Sequence, residues 1–298
     1  MPEGEGGVDF RDMAEADLPE GLRLSEAAGW NQTEEDWRLL LSLGRGRFRV
    51  ATDGGRVVGT GGTVAYGSQL GWICMILVDS SCRGRGIGTR LFDDVLAHAS
   101  GLAVVGLDAT PGGRPLYERA GFVDAYPLAR LQREPGLRGS ETGSGAPPPR
   151  GMGTECLRPL VAADLEALRA WDREAFGADR GPVIEWARRR APEYAWGAYG
   201  DRGLEGYLLG RHGRRFEHLG PLVARDVETA ETLVASCLAS FPGRPFGLDA
   251  LTDQPGWRAA LERHGFQERR PFTRMYRTGE RDPGRRDTAF AALGPEFG

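Results

Sequence analysis

The sequence predicts an α/β fold with mixed sheets and flanking helices, built twice along a chain of 298 residues. Two apolar runs, residues 71–78 and 102–107, have the length and composition of buried strands. Between them, residues 87–99 repeat apolar side chains at helical spacing. Later segments echo earlier ones closely enough to indicate an internal repeat.

A loop rich in glycine and arginine joins the first apolar strand to the helix. Gly84, Gly86 and Gly88 lie in it, beside Arg83 and Arg85. Glycine lets backbone N–H groups turn towards a ligand, and a helix N-terminus carries a partial positive charge. The loop is therefore predicted to bind an anion, and a pyrophosphate suits it.

The spacing of this loop discriminates among phosphate-binding motifs. A Walker loop needs Gly-Lys-Ser/Thr, but the chain has no lysine, and all 38 basic residues are arginine. The dinucleotide fingerprint G-x-G-x-x-G is closer, because Asp108 lies about where its ribose-binding acid would be, yet its third glycine falls on Thr89. The spacing that fits is Arg-x-x-Gly-x-Gly, at Arg83, Gly86 and Gly88.

A second motif follows the second apolar strand, where residues 110–122 read TPGGRPLYERAGF. Together with the glycine loop, it resembles the two signatures of the GCN5-related N-acetyltransferase (GNAT) superfamily. The second signature, Asn-x-x-Ala-x-x-Leu-Tyr-x-x-x-Gly-Phe, is matched at four positions: Leu116, Tyr117, Gly121 and Phe122. It departs at Thr110, where asparagine is usual, and at Gly113, where alanine is usual.

The resemblance implies two tandem GNAT folds, each a splayed, mostly antiparallel sheet flanked by helices. It implies acetyl-CoA as the cofactor and coenzyme A as the product, with the pantetheine arm pairing to strand backbone as an extra strand would. The residues that it assigns to cofactor binding are Leu77, Val78, Arg83, Gly84, Arg85, Gly86, Ile87, Gly88, Thr89, Thr110 and Tyr117.

The resemblance also implies a mechanism in which an amine attacks the thioester directly. A backbone N–H near Val78 stabilises the oxyanion, and Tyr117 protonates the leaving thiolate. The base is left open among Asp108, Asp79 and a chain of waters, since Asp79 is equally suited to cap the phosphate loop and Asp108 to cap the following turn. A route through Cys74 is a further alternative to a buried structural thiol.

Residues 30–37 are predicted to recognise the acceptor. Trp30, Asn31 and Asp36 combine aromatic, amide and acidic side chains that suit an amine. The alternative is purely structural, with Thr33 and Asp36 capping a helix and Trp37 in the core.

Glycine, serine and proline dominate residues 134–153, which are predicted to be a linker. The domains that result are a catalytic GNAT domain at 1–133, a degenerate GNAT-like domain at 154–278 and a flexible tail at 279–298. The first two ranges are called here the first and second copies.

The second copy repeats the first but has lost its chemical groups. Leu248, Asp249 and Ala250 repeat residues 107–109, whereas Leu261 aligns with Tyr117. Residues 225–231, at the place of the phosphate loop, contain no glycine and three acids, so this copy is predicted to bind no coenzyme A. Residues 220–277 also resemble the C-terminal half of bacterial tandem acetyltransferases of the YitH type.

Composition favours a soluble cytoplasmic bacterial enzyme, monomeric or homodimeric. The net charge of −4 gives no reason to bind nucleic acid. No apolar run near 20 residues and no signal-peptide pattern occurs, so no membrane partner is expected. The four cysteines are scattered without C-x-x-C spacing, so neither a disulfide nor a metal site is expected.

The function predicted from the sequence is acetyl-CoA-dependent N-acetylation of a small-molecule amine. Acceptors that are protein amines and acyl groups other than acetyl are left open. A non-catalytic, acetyl-CoA-responsive binding protein is the alternative from a different functional class.

Overall fold

The computed structural model describes residues 7–43, 46–136, 156–277 and 283–298. Its contacts divide the chain into two units, Met1–Leu107 and Asp108–Gly298. The predicted domains follow the sequence repeat instead, and they remain a prediction. From residue 137 onward, the predicted linker lies outside the described residues.

The first unit is an open mixed sheet with helices on its faces. Its sheet order is β1-β2-β3-β4-β5, antiparallel except for the parallel pair β4–β5. The elements are β1 (Asp9–Asp12), α1 (Leu18–Ala27), α2 (Glu34–Ser42), β2 (Arg47–Asp53), β3 (Arg56–Tyr66), β4 (Leu70–Val78), α3 (Ile87–His98) and β5 (Val104–Ala109), whose last two residues belong to the second unit.

Helix α3 packs on this sheet through the apolar face that its spacing predicted. Ile87 and Leu91 are buried against Ala51 and Val58 of β2 and β3. This packing anchors the helix, so that its N-terminus and the glycine loop lie at the end of β4.

The second unit is also mixed, with the sheet order β12-β6-β11-β13-β10-β9-β8-β7. Its elements are α4 (Arg114–Arg119), β6 (Val123–Arg133), β7 (Cys156–Pro159), α5 (Leu165–Phe176), α6 (Gly181–Arg190), β8 (Trp196–Gly200), β9 (Gly203–Arg211), β10 (Glu217–Ala224), α7 (Val227–Ser240), β11 (Phe246–Leu251), α8 (Trp257–Arg263), β12 (Gln267–Arg277) and β13 (Ala289–Ala292). The predicted α/β class with mixed sheets is confirmed in both units.

The repeat extends to individual hydrogen bonds at the start of each copy. Arg11 binds both oxygens of Asp17 at 2.6 and 2.8 Å, and Arg158 binds both oxygens of Asp164 at 2.8 Å. In each copy the same aspartate also accepts a backbone N–H three residues earlier, at 2.8 Å. The two equivalent aspartates therefore stabilise the connection from strand to helix in the same way in each copy.

The last strand of the first copy lies in the sheet of the second unit. β6 pairs antiparallel with β11 on one side and with β12 on the other. Arg130 of β6 makes a buried two-point ion pair with Asp249 of β11, at 2.8 and 2.7 Å. β6 thus packs among strands that follow it by more than a hundred residues.

The prediction of a flexible tail at 279–298 is wrong for its described part, 283–298. β13 pairs with both β10 and β11. Phe290, Leu293 and Phe297 are fully buried. The short apolar run 289–293 is enough to bring this segment into the core, because both faces of a central strand are covered.

Candidate active site

β4 carries a bulge just before Leu77 and Val78, which the resemblance assigns to cofactor binding. Gly62 pairs with Cys74 and Thr60 with Leu77, so Met75 and Ile76 together oppose a single residue of β3. Met75 has a left-handed backbone, with φ of 56°, which is uncommon for a non-glycine residue. Its carbonyl accepts a hydrogen bond from the Thr60 hydroxyl at 2.8 Å, which holds the distortion in place.

β4 and β5 stop pairing before the bulge is reached. Their parallel pairing ends at Trp72 and Gly106, whereas β4 continues to Val78. The gap between β4 and β5, called here the first cleft, leaves strand backbone available to an extended ligand. The predicted splay of these strands is confirmed.

The glycine loop has the geometry of an anion cradle. Gly84 and Gly86 have φ of +78° and +75°, and Gly86 is the N-cap of α3, with no side chain over the helix end. A Cβ at Gly88 would lie 3.3 Å from Cγ2 of Val78, so a side chain there would crowd the approach to β4. The first N–H groups of a helix have no partner within it, so those of Ile87, Gly88 and Thr89 suit a pyrophosphate.

The two arginines of the loop are exposed, but they are not equivalent. Arg83 donates to the carbonyl of Val78 at 3.4 Å, a long contact that leaves its charge available. Arg85 is paired with Asp53 at 2.6 Å, so its charge is already partly balanced. Arg83 is therefore the stronger candidate for attraction of an anion.

Asp79 is a structural cap. One oxygen accepts from the backbone and hydroxyl of Ser81, at 3.1 and 2.8 Å, and the other from Arg23 and Arg56, at 3.0 and 3.2 Å. The bonds from Ser81, followed by that from Arg23, lower the pKa of Asp79 to about 2. The capping interpretation is confirmed, and a carboxylate with so low a pKa is a poor proton acceptor. Sequence reasoning missed Arg23 and Arg56, since neither is near Asp79 in the chain.

Asp108 does not cap a turn, so that interpretation is wrong. It lies within β5, almost fully buried, and both oxygens accept from Arg274 of β12 at 2.8 Å. A carboxylate held at both oxygens by a guanidinium is poorly placed to take a proton from an amine. Asp108 is therefore a weak candidate for the base.

Tyr117 is half-buried on α4, with its ring edge-on to Phe122 at 6.3 Å between centroids. Burial raises the pKa of Tyr117 to about 12, so the phenol keeps its proton at neutral pH. A Cβ at Gly113 would lie 3.0 Å from the ring and 3.3 Å from the hydroxyl. The glycine that replaces the usual alanine therefore leaves room beside the hydroxyl.

Thr110 stabilises the turn before α4. Its carbonyl accepts from the N–H groups of Gly113 and Arg114 at 3.0 Å, and its hydroxyl accepts a longer bond from Gly113 at 3.3 Å. The hydroxyl thus supports the turn that leads into α4, whose N-cap is Gly113.

Residues 30–37 have the structural arrangement that was the alternative to acceptor binding. Thr33 and Asp36 form a reciprocal capping box at the start of α2, with Asp36 fully buried. Trp37 is buried and donates to Ser25 at 3.2 Å. Asn31 is also fully buried, whereas Trp30 is half-buried. Trp30 is the member of the predicted acceptor set that keeps exposed surface.

Other site types find no support within the described ranges. There, no three His, Cys, Asp or Glu side chains are placed to hold a metal ion. The helices of this part of the chain are all too short or too polar to cross a membrane. Cys74 is buried in β4, as a structural thiol would be.

Family models match both copies of the repeat. The acetyltransferase (GNAT) family model matches residues 10–122, and an acetyltransferase (GNAT) domain model matches residues 168–291. The two matches together extend over most of the chain.

Individual relatives also match along most of their length. The chain is 26% identical over 248 residues to the uncharacterized N-acetyltransferase YitH of Bacillus subtilis, covering 83% of each protein. It is 26% identical over 236 residues to a holothin acyltransferase of Pseudoalteromonas sp., covering 79% of this chain and 76% of the relative.

A solved structure from Pyrococcus horikoshii, classed among acetyltransferases, shares the fold. Its TM-score is 0.75 at 21% identity, covering 100% of this chain and 98% of the other. The two GNAT matches, the signature motifs and the bulged, splayed strand agree. The chain therefore belongs to the GNAT family and is a transferase enzyme with two GNAT domains in tandem.

Proposed function

We propose that the protein is an acetyl-CoA-dependent N-acetyltransferase whose acceptor is the amine of a small molecule. The observation that carries this proposal is the combination, in one unit, of a glycine cradle at a helix N-terminus with the first cleft beside it. The cradle suits a pyrophosphate and the cleft suits an extended arm, and acetyl-CoA contains both.

Different residues of the first copy bind the pyrophosphate and the pantetheine arm. The backbone N–H groups of Ile87, Gly88 and Thr89 hold the pyrophosphate, and Arg83 adds a full charge. Leu77 and Val78 offer backbone to the pantetheine arm on the free side of β4. Gly84 and Gly86 allow the chain to turn around the phosphates, because their positive φ angles are unstrained only in glycine.

Acetyl-CoA supplies an activated thioester, and the protein supplies orientation and protons. A backbone N–H near Val78 stabilises the charge that develops on the carbonyl oxygen. Tyr117 gives its proton to the departing sulfur, for which its raised pKa keeps it in the protonated form. Since both candidate carboxylates are held by arginines, the amine loses its proton to water.

The acceptor is the least constrained part of the proposal. Of the predicted acceptor residues, Trp30 has an exposed aromatic surface that suits a cationic or planar amine. One relative is named a holothin acyltransferase, which supports acyl transfer as the reaction and leaves the acceptor of this protein to be identified.

The test is release of the coenzyme A thiol from acetyl-CoA against panels of small amines, peptides with free N-termini and polyamines, with longer acyl-CoA donors in parallel. We expect turnover with one class of small amine and preference for the acetyl donor. Turnover confined to peptides would show that the acceptor is a protein amine and not a small molecule. Tight acetyl-CoA binding without turnover on any panel would favour the non-catalytic, acetyl-CoA-responsive binding protein. Absence of acetyl-CoA binding would overturn the proposal.

A further inference from the structure

The cleft of the second copy is occupied by the chain itself. β10 and β11 correspond to β4 and β5, and their parallel pairing covers only Glu217 and His218 of β10. Beyond that point β13 lies between them, pairing antiparallel with β10 and with β11. The space between β10 and β11, called here the second cleft, therefore contains a peptide strand.

The position of that strand follows from the bulge, which both copies share. In β10, Leu219 pairs with Gly210 and Leu222 with Leu208, so two residues again oppose one. The residues after the bulge are Leu222 and Val223, as they are Leu77 and Val78 in β4. β13 pairs with these two residues, Leu222 with Ala291 and Val223 with Ala289. It thus takes the place that the proposed function gives to the pantetheine arm in the first cleft.

Buried side chains of the second copy hold the carbonyl groups of this segment. Trp257 donates to Phe290 at 2.9 Å, and Arg211 donates to Leu293 at 3.4 Å and to the carboxylate of Glu296 at 2.6 Å. Trp257 aligns with Gly113 of the first copy, so the indole is particular to the second.

His218 holds a further carbonyl of the segment. Its Nε2 lies 3.2 Å from the oxygen of Ala292. Burial, followed by the charge of Arg211, lowers the pKa of His218 to about 3, so the ring is neutral. A neutral ring with its hydrogen on Nε2 donates to Ala292.

The helix N-terminus that corresponds to the phosphate loop is also capped by the second copy itself. α7 begins after Asp226, whose carboxylate accepts the N–H of Thr229 at 2.8 Å. In α3 the same position is Gly86, which has no side chain. A carboxylate at the helix end takes the site that an anion would use.

We propose that the second cleft is a peptide-binding site whose ligand is the segment 283–298 of this chain, bound by β-strand addition. Only the comparison with pantetheine rests on the proposed function. The strand site itself rests on the pairing and on the donors from Arg211, His218 and Trp257.

The test begins with the full chain, carrying a protease recognition sequence inserted within residues 278–282. After cleavage of the folded protein, native mass spectrometry shows whether the segment stays bound. We expect it to remain and to exchange for a labelled synthetic peptide of residues 283–298, but not for the same peptide with Ala291→Pro, which loses a strand N–H. Dissociation of the segment from protein that remains folded, or equal exchange for both peptides, overturns the proposal.

A second measurement uses the uncleaved chain, so it remains possible if cleavage unfolds the protein. Hydrogen exchange at the amides of β13 should be as slow as in β10 and β11, and exchange at the rate of an exposed loop overturns the proposal. Trp257→Phe leaves a smaller aromatic ring in this buried position and removes the donor to Phe290, so we expect release of the cleaved segment to quicken roughly three- to tenfold or more.

Acetyl-CoA provides the last arm of the test. It should not displace the cleaved segment, even from a Gly88→Glu variant that lacks the cradle of the first copy. Displacement with saturable binding to that variant would make the second cleft a cofactor site and overturn the proposal. Failure of wild-type protein to bind acetyl-CoA would contradict the proposed function alone, since the peptide exchange is measured without cofactor.

Discussion

Tyr117 is the side chain whose proposed role depends on a single oxygen atom. Tyr117→Phe keeps the ring beside Phe122 and changes no residue of the glycine loop. We expect acetyl-CoA affinity to change little while turnover falls by roughly 10²-fold or more, the scale of a positioned general acid. Calorimetry and the thiol-release assay measure the two quantities. Wild-type turnover in this variant, with chemistry rate-limiting, would make Tyr117 a packing residue.

Leu261 is the matched control in the second copy. It is fully buried at the aligned position. Leu261→Ala should lower the free energy of unfolding by roughly 2–5 kcal/mol through loss of packing. Chemical denaturation measures this loss.

The titration of Tyr117 gives a pH-dependent prediction. Its pKa is raised from 10.0 to about 12 because burial disfavours the phenolate. The stability gained from the neutral phenol is therefore present below pH 10 and lost as pH rises towards 12. The ultraviolet difference titration between wild type and Tyr117→Phe should show its transition near 12, and a transition near 10 would contradict the burial of the hydroxyl.

Asp108 and Asp249 form a natural pair for separating catalysis from stability. They are equivalent in the repeat, and each is almost fully buried against an arginine, Arg274 and Arg130 respectively. Asp108→Asn and Asp249→Asn should each destabilise the protein by roughly 3–5 kcal/mol, because an arginine charge is left buried without its partner. Thermal unfolding and turnover are measured on both. A loss of turnover in Asp108→Asn without a loss of thermal stability would indicate that Asp108 is the general base.

The N-terminus of α3 is the element on which the proposed cofactor binding depends. Gly88→Glu adds a side chain within 3.3 Å of Val78 and a negative charge at the anion site, so it should abolish acetyl-CoA binding in calorimetry. Gly101→Glu is the matched control, because Gly101 lies just beyond the other end of α3 with open space around it. Equal acetyl-CoA affinities in the two variants would show that the cofactor does not bind at this loop.

The elements of the first copy were predictable because their signals are local. β4, the glycine loop and α3 follow one another within thirty residues, and each is defined by its own periodicity or glycine spacing. The bulge at Met75 was not predictable, since nothing in an apolar strand marks which residue takes a left-handed backbone. The partners of Asp79 and Asp108 were missed for a related reason, because Arg23 and Arg274 meet them only through the fold.

For the whole molecule, one acetyl-CoA per chain is expected. The first copy has the cradle, whereas Asp226 and β13 occupy the corresponding places in the second. Isothermal titration of the wild-type protein measures the stoichiometry. A value near two would require both copies to bind, and the Gly88→Glu variant would then still bind one.

The sequence repeat predicted two copies of one fold but not the sheet in which each strand lies. Repeats identify equivalent strands, and they carry no information about whether equivalent strands keep their own neighbours. β6 illustrates this, since its two-point ion pair joins Arg130 to Asp249 across the repeat boundary. β13 was missed because the apolar run 289–293 is short and lies in a polar segment, which is a weak signal for a central strand.

The placement of β6 has a consequence for synthesis on the ribosome. Leu131 of β6 is aligned with Leu248 on one side and with Glu268 on the other, so neither neighbour exists when β6 leaves the exit tunnel. A strand with two open edges is exposed to aggregation, and pairing between such distant segments is slow. The last strand of the first copy therefore gains both neighbours only after residues 246–277 have been translated.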